Sequence, residues 1–239
     1  MSVTTIWQSI SERLRAEIAE GLYPPGSRLP TEAALAARFG VNRHTLRRAI
    51  AALAEAGFVT PRRGAGVFVA ARPTDYPLGR RVRFHQNVAA SGRTPSRRIT
   101  RAETRAASAR EAEALHLPEA AQVHVVEGVS LADGLPIAAF RSVFPAARFP
   151  GLLGAMAVTP SVTQALAACG LADYTRAETR LTAKLADPVL ALALQVAPGA
   201  PVLRSVAVNV DAGGMPVELG TTWFVGDRVT LTVAPDQAP

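Results

Sequence analysis

Ile6, Ile10, Leu14 and Ile18 fall four residues apart, the spacing that draws one apolar stripe along a helix. The pattern predicts a first helix whose role is to pack on the helices after it. Leu22-Tyr23-Pro24-Pro25-Gly26 ends it, because two prolines and a glycine cannot carry helical hydrogen bonding forward. Thr31 then stands where an N-cap would, Leu35 and Phe39 share one face, and Gly40 supplies a C′ residue, so a second helix of about two turns is expected. Asn42 caps a third, in which Leu46, Ala49, Ile50 and Leu53 form the buried side. Its opposite side carries Arg43, His44, Arg47 and Arg48. Phe58-Val59 and Val67-Phe68-Val69 read as two strands joined by the basic, glycine-rich stretch from Thr60 to Gly66.

After Val69 the pattern changes. Residues 71–82 hold Pro73, Pro77 and Gly79 with little apolar content and read as a linker. This divides the chain into an N-terminal domain (1–70), a linker (71–82) and a second domain (83–239). In the second domain, alternation predicts strands at 97–105, 122–132, 136–143, 175–186, 201–211, 216–225 and 227–234, with helices near 108–115, 161–169 and 188–195. Ser108-Ala109-Arg110-Glu111 has capping-box spacing. Leu115 to Pro136 can be laid on Gln195 to Pro216 at a shift of about 80 residues, each copy being a helix end, a proline turn, a strand and a glycine turn before proline. Two copies are too few for a solenoid and predict instead a pseudo-symmetric sheet. The fold class expected is α+β, a winged helix-turn-helix followed by a mixed domain with an antiparallel sheet.

A helix-turn-helix followed at once by a basic hairpin is a combination built for duplex DNA, since the opening turn of the second helix can present side chains to base edges in the major groove. The segment 6–70, with PPGSRLPTE and VNRHTLRRAIAALAEAGFV, resembles the winged helix-turn-helix of the GntR family of bacterial transcription regulators. The resemblance implies DNA contacts at Arg28, Asn42, Arg43, His44, Thr45 and Arg47, and a wing at Arg63, Gly64 and Gly66 that enters the minor groove. Thr31 and Glu32, at the end of PPGSRLPTE, are candidates on the same surface.

Charge supports a division of labour. The formal net charge is +7, but residues 1–72 hold ten arginines against five acidic groups, 73–110 nine against two, and 111–239 seven basic groups against twelve acidic. A basic first half and an acidic second half suggest that only one half meets nucleic acid. Cys169 is the only cysteine, which excludes an intrachain disulfide and a thiolate metal cluster. Glu12 and Glu17 interrupt the region where a signal peptide would need an apolar core, and no apolar run approaches the ~18 residues of a membrane span, so a cytoplasmic protein is expected.

Residues 76–236 resemble the UTRA effector domain of the HutC-like GntR subfamily, whose fold is similar to chorismate lyase. The resemblance is carried by Asp133-Gly134-x-Pro136, Phe149-Pro150-Gly151-Leu152, Pro216-Val217-Glu218 and Asp227-Arg228. YPLGRRVRFHQNVAASGRTP, FRSVFPAARFPG and DYTRAETRLTAKLA look most like the branch that regulates phosphonate uptake and carbon–phosphorus lyase operons. Such domains are implied to hold an anion with hydroxyls at a helix N-terminus, here Thr159, Ser161 and Thr163, and with an arginine pair. That pair is missing: the matching positions are Gly128 and Ser130, and the acidic residue expected on the next strand is Phe140. Arg141 and Arg176 are candidate substitutes, with Arg83, Phe84 and Tyr174 beside them; Glu218 and Phe224 match pocket positions, Phe224 replacing a tyrosine.

No GxSxG, HExxH or paired-carboxylate spacing is present, and His44, His85, His116 and His124 are scattered, so neither catalysis, nor a metal, nor a cofactor is expected. The reading is a ligand-responsive, sequence-specific regulator, a homodimer on a palindromic double-stranded operator, with a small anionic effector (phosphonate, phosphate or phosphate ester, then carboxylate) and no membrane partner. Two other classes remain open: an enzyme or sensor of lyase-like fold with a DNA-binding arm, and an architectural DNA-coating protein.

Overall fold

The computed structural model describes residues 5–62, 64–70 and 73–233. The chain divides into two compact units between residues 72 and 73.

The first unit opens with α1 (Ile6–Ala19), α2 (Glu32–Phe39) and α3 (Arg43–Glu55). Thr31 Oγ1 accepts from the Ala34 amide at 3.2 Å and Asn42 Oδ1 from the Thr45 amide at 2.8 Å, so both expected caps form. Gly40 closes α2 in the left-handed conformation, φ 64°, which glycine adopts at no steric cost. Leu14, Leu35, Leu46 and Leu53 meet in a single core, fully removed from water. β1 (Val59–Arg62) and β2 (Gly66–Val69) form an antiparallel hairpin that runs further into its tip than the apolar positions alone suggested, with Arg62 opposite Gly66.

The expected linker is not linker throughout. Thr74–Pro77 forms β3, which pairs in parallel with β10 (Val229–Thr232), and Thr74 and Tyr76 are buried. Prolines suggested an unstructured segment, but a strand in a two-stranded sheet tolerates proline on the side that donates nothing. The last strand likewise belongs to this small sheet rather than to the large one; of its expected range, residue 234 lies outside the described residues.

The large sheet is six-stranded, in the order β4-β5-β6-β9-β8-β7. Its strands are β4 (Pro95–Ala106), β5 (Gln122–Ala132), β6 (Leu135–Pro145), β7 (Thr175–Leu185), β8 (Pro201–Val210) and β9 (Pro216–Val225), all antiparallel to their neighbours. α5 (Ala109–Leu115) and α8 (Pro188–Leu194) follow the two edge strands. The order reads the same from either edge when β4, β5 and β6 are exchanged for β7, β8 and β9, so the repeat does build a pseudo-two-fold sheet. Matching details support this: Ser108 and Asp187 cap the two helices, and His116 and Gln195 end them in the left-handed conformation at φ 52° and 54°. Arg228 is buried and donates to the carbonyls of Pro136, Leu194 and Gln195, tying the end of α8 to β6.

Two helices were not anticipated, α4 (Phe84–Ala90) and α6 (Leu152–Val158), while α7 (Val162–Ala168) lies where a helix was expected. Neither unforeseen helix has a side chain capping its N-terminus, so each lacked the local signal that marks a start. Burial of Phe84 and Val88, and of Leu152 and Met156, holds them instead.

Candidate nucleic-acid interface and ligand pocket

In the first unit, Arg43 and His44 are exposed in the opening turn of α3. Arg47, one turn on, is exposed but its Nε donates to Glu32 at 2.7 Å, so Glu32 positions an arginine of this face. Thr31 and Asn42 use their side chains as helix caps, and Thr45 Oγ1 lies 3.0 Å from Asn42 Oδ1. Arg48, read with the exposed set, has its guanidinium 4.6 Å from the Trp7 ring centre. Arg28 bridges to Phe68 and lies along the wing: a Cβ on Gly66, whose φ is 106°, would come 2.7 Å from Arg28 Nε. Gly64, φ 75°, completes the turn, while Arg63 falls outside the described residues. Arg28, Thr31, Glu32, Gly64 and Gly66 thus line one concave surface between the start of α2 and the wing.

The second unit contains a pocket on one face of the large sheet. Strand alternation supplies its floor: Phe140 and Ser142 from β6, Glu218, Gly220 and Thr222 from β9, and Ser205, Ala207 and Asn209 from β8. Small side chains at the centre leave a hollow of about 60 Å³. Tyr76, Val82, Phe84 and His85 close one side and Ser161, Val162, Thr163 and Tyr174 another, with Arg97 from β4 and Arg176 from β7 at the two edges.

Arg97 and Arg176 occupy equivalent places in the two repeats, Arg97 opposite Ser130 and Arg176 opposite Asn209. Among the described residues neither is paired with a carboxylate, and the Nε of each is buried without a hydrogen-bond partner. Arg97 lies between two rings, 4.7 Å from the centre of Phe84 and 4.5 Å from Phe140, contacts that hold a cation flat without neutralising it. Burial pushes both guanidinium pKa values down, yet arginine stays charged. Burial pushes the hydroxyls of Tyr76 and Tyr174 up. It also lowers the His85 pKa, aided by Arg97, so the imidazole is neutral at pH 7. Glu218 is buried, accepting from Ser142 Oγ at 2.6 Å and Asn209 Nδ2 at 2.7 Å.

The expected effector residues divide. Phe84, Ser161, Thr163, Tyr174, Arg176 and Glu218 line the pocket. Ser161 is at the same time the N-cap of α7, and Thr163 Oγ1 lies 3.0 Å from the Tyr174 hydroxyl. Arg141 lies outside it, because β6 alternation turns it to the other face, where it pairs with Glu111 at 2.7 Å and Glu127 at 3.1 Å. Thr159 spends its hydroxyl on Gln164, and Phe224 packs against Tyr76 in the core. Arg83 does not line the pocket: it stacks on Tyr174 at 3.6 Å and donates to Asp173 and the Tyr174 carbonyl, bracing the pocket wall.

The gntR family of bacterial regulatory proteins matches residues 7–69, and the UTRA domain matches residues 90–230. The chain belongs to the UTRA-bearing branch of the GntR family. An uncharacterised HTH-type transcriptional regulator of Rhizobium meliloti is 38% identical over 229 residues, covering 95% of this chain and 94% of that one. The Escherichia coli protein named "Probable transcriptional regulator PhnF" is 45% identical over 122 residues, about half of each chain (51% and 50%). The crystal structure of PhnF from Mycobacterium smegmatis superposes with a TM-score of 0.67 at 24% identity, covering 98% of this chain and 100% of that one, and so shares its fold.

For this GntR regulator, sequence reasoning missed Arg97, Tyr76, His85, Ser142, Ser205 and Asn209 in the pocket. Arg97 could have been found, since alternation places Arg97 and Ile99 on one face and Arg98 on the other. Tyr76 could not, because it lies in a stretch that composition marks as linker. One of the two positions where an arginine pair was sought, Gly128, also has a physical explanation. A Cβ on Gly128 would sit 2.3 Å from the Arg98 carbonyl oxygen and 3.0 Å from Phe140, so no larger residue fits there. Cations enter this pocket from the edge strands instead. Among the described residues no helix is long and apolar enough to cross a membrane, and no group of three or more His, Cys, Asp or Glu side chains could hold a metal.

Proposed function

We propose that this GntR regulator is a cytoplasmic repressor that binds a palindromic operator as a homodimer and changes its DNA affinity when a small anion enters the sheet pocket. The DNA-contacting set is Arg28, Arg43, His44 and Arg47 with the wing glycines Gly64 and Gly66 and, by resemblance, Arg63. Thr31, Asn42 and Glu32 hold that set in place through the caps and the Arg47 pair. One observation carries the effector class: Arg97 and Arg176 face the pocket without a carboxylate partner. Two half-buried cations whose Nε atoms are shut away from water without a partner are costly unless an anion completes them. A phosphonate, phosphate or phosphate ester is the first choice and an organic carboxylate the second. The likeness to phosphonate-operon regulators favours the same order.

Anion binding would act by shifting a pre-existing balance of conformations, because a ligand moves such a balance only by its difference in affinity for the two states. Repression then follows from a dimer occupying promoter DNA.

The test is footprinting of the full chain on DNA flanking its gene, with and without alkylphosphonates, inorganic phosphate and simple carboxylates. A single palindromic footprint whose affinity shifts with an anion is expected, the shift disappearing in Arg97→Ala and Arg176→Ala. Uniform coating of all DNA would favour an architectural role, and turnover of any compound in the panel would favour an enzyme.

A further inference from the structure

The pocket has two poles of opposite sign. Arg97 and Arg176 are related by the pseudo-two-fold of the sheet, but Glu218 is not matched by an acid: about 80 residues earlier the corresponding strand carries Ala138. Glu218 is buried at 6% exposure, and its two oxygens accept only from neutral groups, Ser142 Oγ and Asn209 Nδ2. No cation lies within ion-pair distance of it among the described residues. With His85 neutral and both tyrosines protonated, the lining carries two positive charges and one negative.

From this arrangement, and resting on the anionic-effector reading above, we infer that the effector is a small zwitterion, a dianionic head between Arg97 and Arg176 joined by a short tail to a cationic hydrogen-bond donor that meets Glu218. Glu218 eases the charge of both arginines through space without touching them; a plain anion leaves it without a cation in contact, and a plain cation leaves both arginines so. A net charge of −1 with separated poles completes all three, which is where charge-assisted hydrogen bonds in a water-poor site gain most.

The tail is short because Arg97, Arg176 and Glu218 line one hollow of about 60 Å³. Ser205, Thr222 and Thr163 add neutral hydroxyls around the same space.

The experiment is calorimetric titration of the full chain with 2-aminoethylphosphonate and with n-propylphosphonate, which has the same shape with a methyl in place of the ammonium. The aminophosphonate is expected to bind at least about tenfold more tightly. Glu218→Gln should bring that ratio close to one while n-propylphosphonate still binds. Equal affinity of the two compounds in the unaltered protein overturns the zwitterion proposal and leaves the anionic reading standing. A ratio that survives Glu218→Gln also overturns it, since the ammonium would then be read elsewhere. Failure of both phosphonates, of inorganic phosphate and of simple carboxylates to bind, or binding unaffected by Arg97→Ala and Arg176→Ala, overturns the anionic reading itself. Because the wild-type ratio needs no variant, the test stands even if Glu218→Gln folds poorly.

Discussion

Single residues set what each surface can recognise. Arg43 is exposed in the first turn of α3 and, among the described residues, forms no ion pair, so it is free to meet a base edge, whereas Arg47 is presented by Glu32. Arg43→Ala is therefore expected to lose about 1–3 kcal/mol of affinity for the cognate operator and to relax specificity at one base pair. Competition binding against random DNA checks this, and an equal loss on both would show that Arg43 touches only phosphate. Gly128 acts by what it lacks. Since a methyl there would press on backbone at 2.3 Å, Gly128→Ala should destabilise the second unit by about 1–3 kcal/mol. Because Gly128 pairs with Ile99, close to Arg97 on the neighbouring strand, anion affinity should fall with it. A thermal melt alongside a phosphate titration separates the two effects, and an unchanged melting temperature would mean that β4 moves aside at little cost.

At the scale of an element, α5 shows how a local signal is reused by the tertiary structure. Ser108 and Glu111 form the capping box that their spacing predicts, with the Ser108 amide donating to Glu111 at 2.9 Å. The same carboxylate also accepts from Arg105 and Arg141, each at 2.8 Å or less, although these arginines come from different strands. The hydrogen bond from Arg105, then those from Ser108 and Arg141, hold the Glu111 carboxyl well below the ordinary glutamate range in spite of burial. A carboxyl whose folded pKa is depressed contributes stability above its unfolded value of about 4.3, and that contribution fades as pH falls below it. Glu111→Gln should thus cost about 1–2 kcal/mol at pH 7, allowing for arginines that remain about one-third exposed. Between pH 5 and 3 the variant should lose stability less steeply than the parent. Denaturant midpoints across that range measure the slope, and parallel curves would remove Glu111 as the titrating group.

For the whole molecule the question is where the effector unit begins. β3 contributes Tyr76 to both the core and the pocket, and pairs with the last described strand. A fragment of residues 73–239 is expected to fold, sediment as a dimer and retain anion binding. A fragment of residues 83–239 lacks β3, and losing a buried aromatic costs about 3–5 kcal/mol. At this size that corresponds to a melting temperature roughly 6–20 °C lower. Equal melting of the two fragments would return 73–82 to the status of linker, and a monomeric longer fragment would move the dimer contact elsewhere in the chain.

What could be read without coordinates was local. Caps at Thr31, Asn42 and Ser108, the stop at Gly40, the alternation of the large-sheet strands and the internal repeat each depend on neighbours within one turn or on period-two burial, and all of them formed as expected. Contacts between distant strands were not legible in the same way. Nothing near Arg97 states that Arg176 will face it across the sheet, or that both will lack a carboxylate. Arg141 and Arg176 look alike in their own segments, yet strand register sets Arg176 in the pocket lining and sends Arg141 to Glu111 and Glu127. Tyr76 sits among prolines that read as linker until β10, more than 150 residues on, supplies its partner strand. The sequence by itself determined most of the elements and the exposed basic face of α3, because their signals are short-range. Only the tertiary structure decided the pocket, because its charges are brought together by strand register rather than by spacing along the chain.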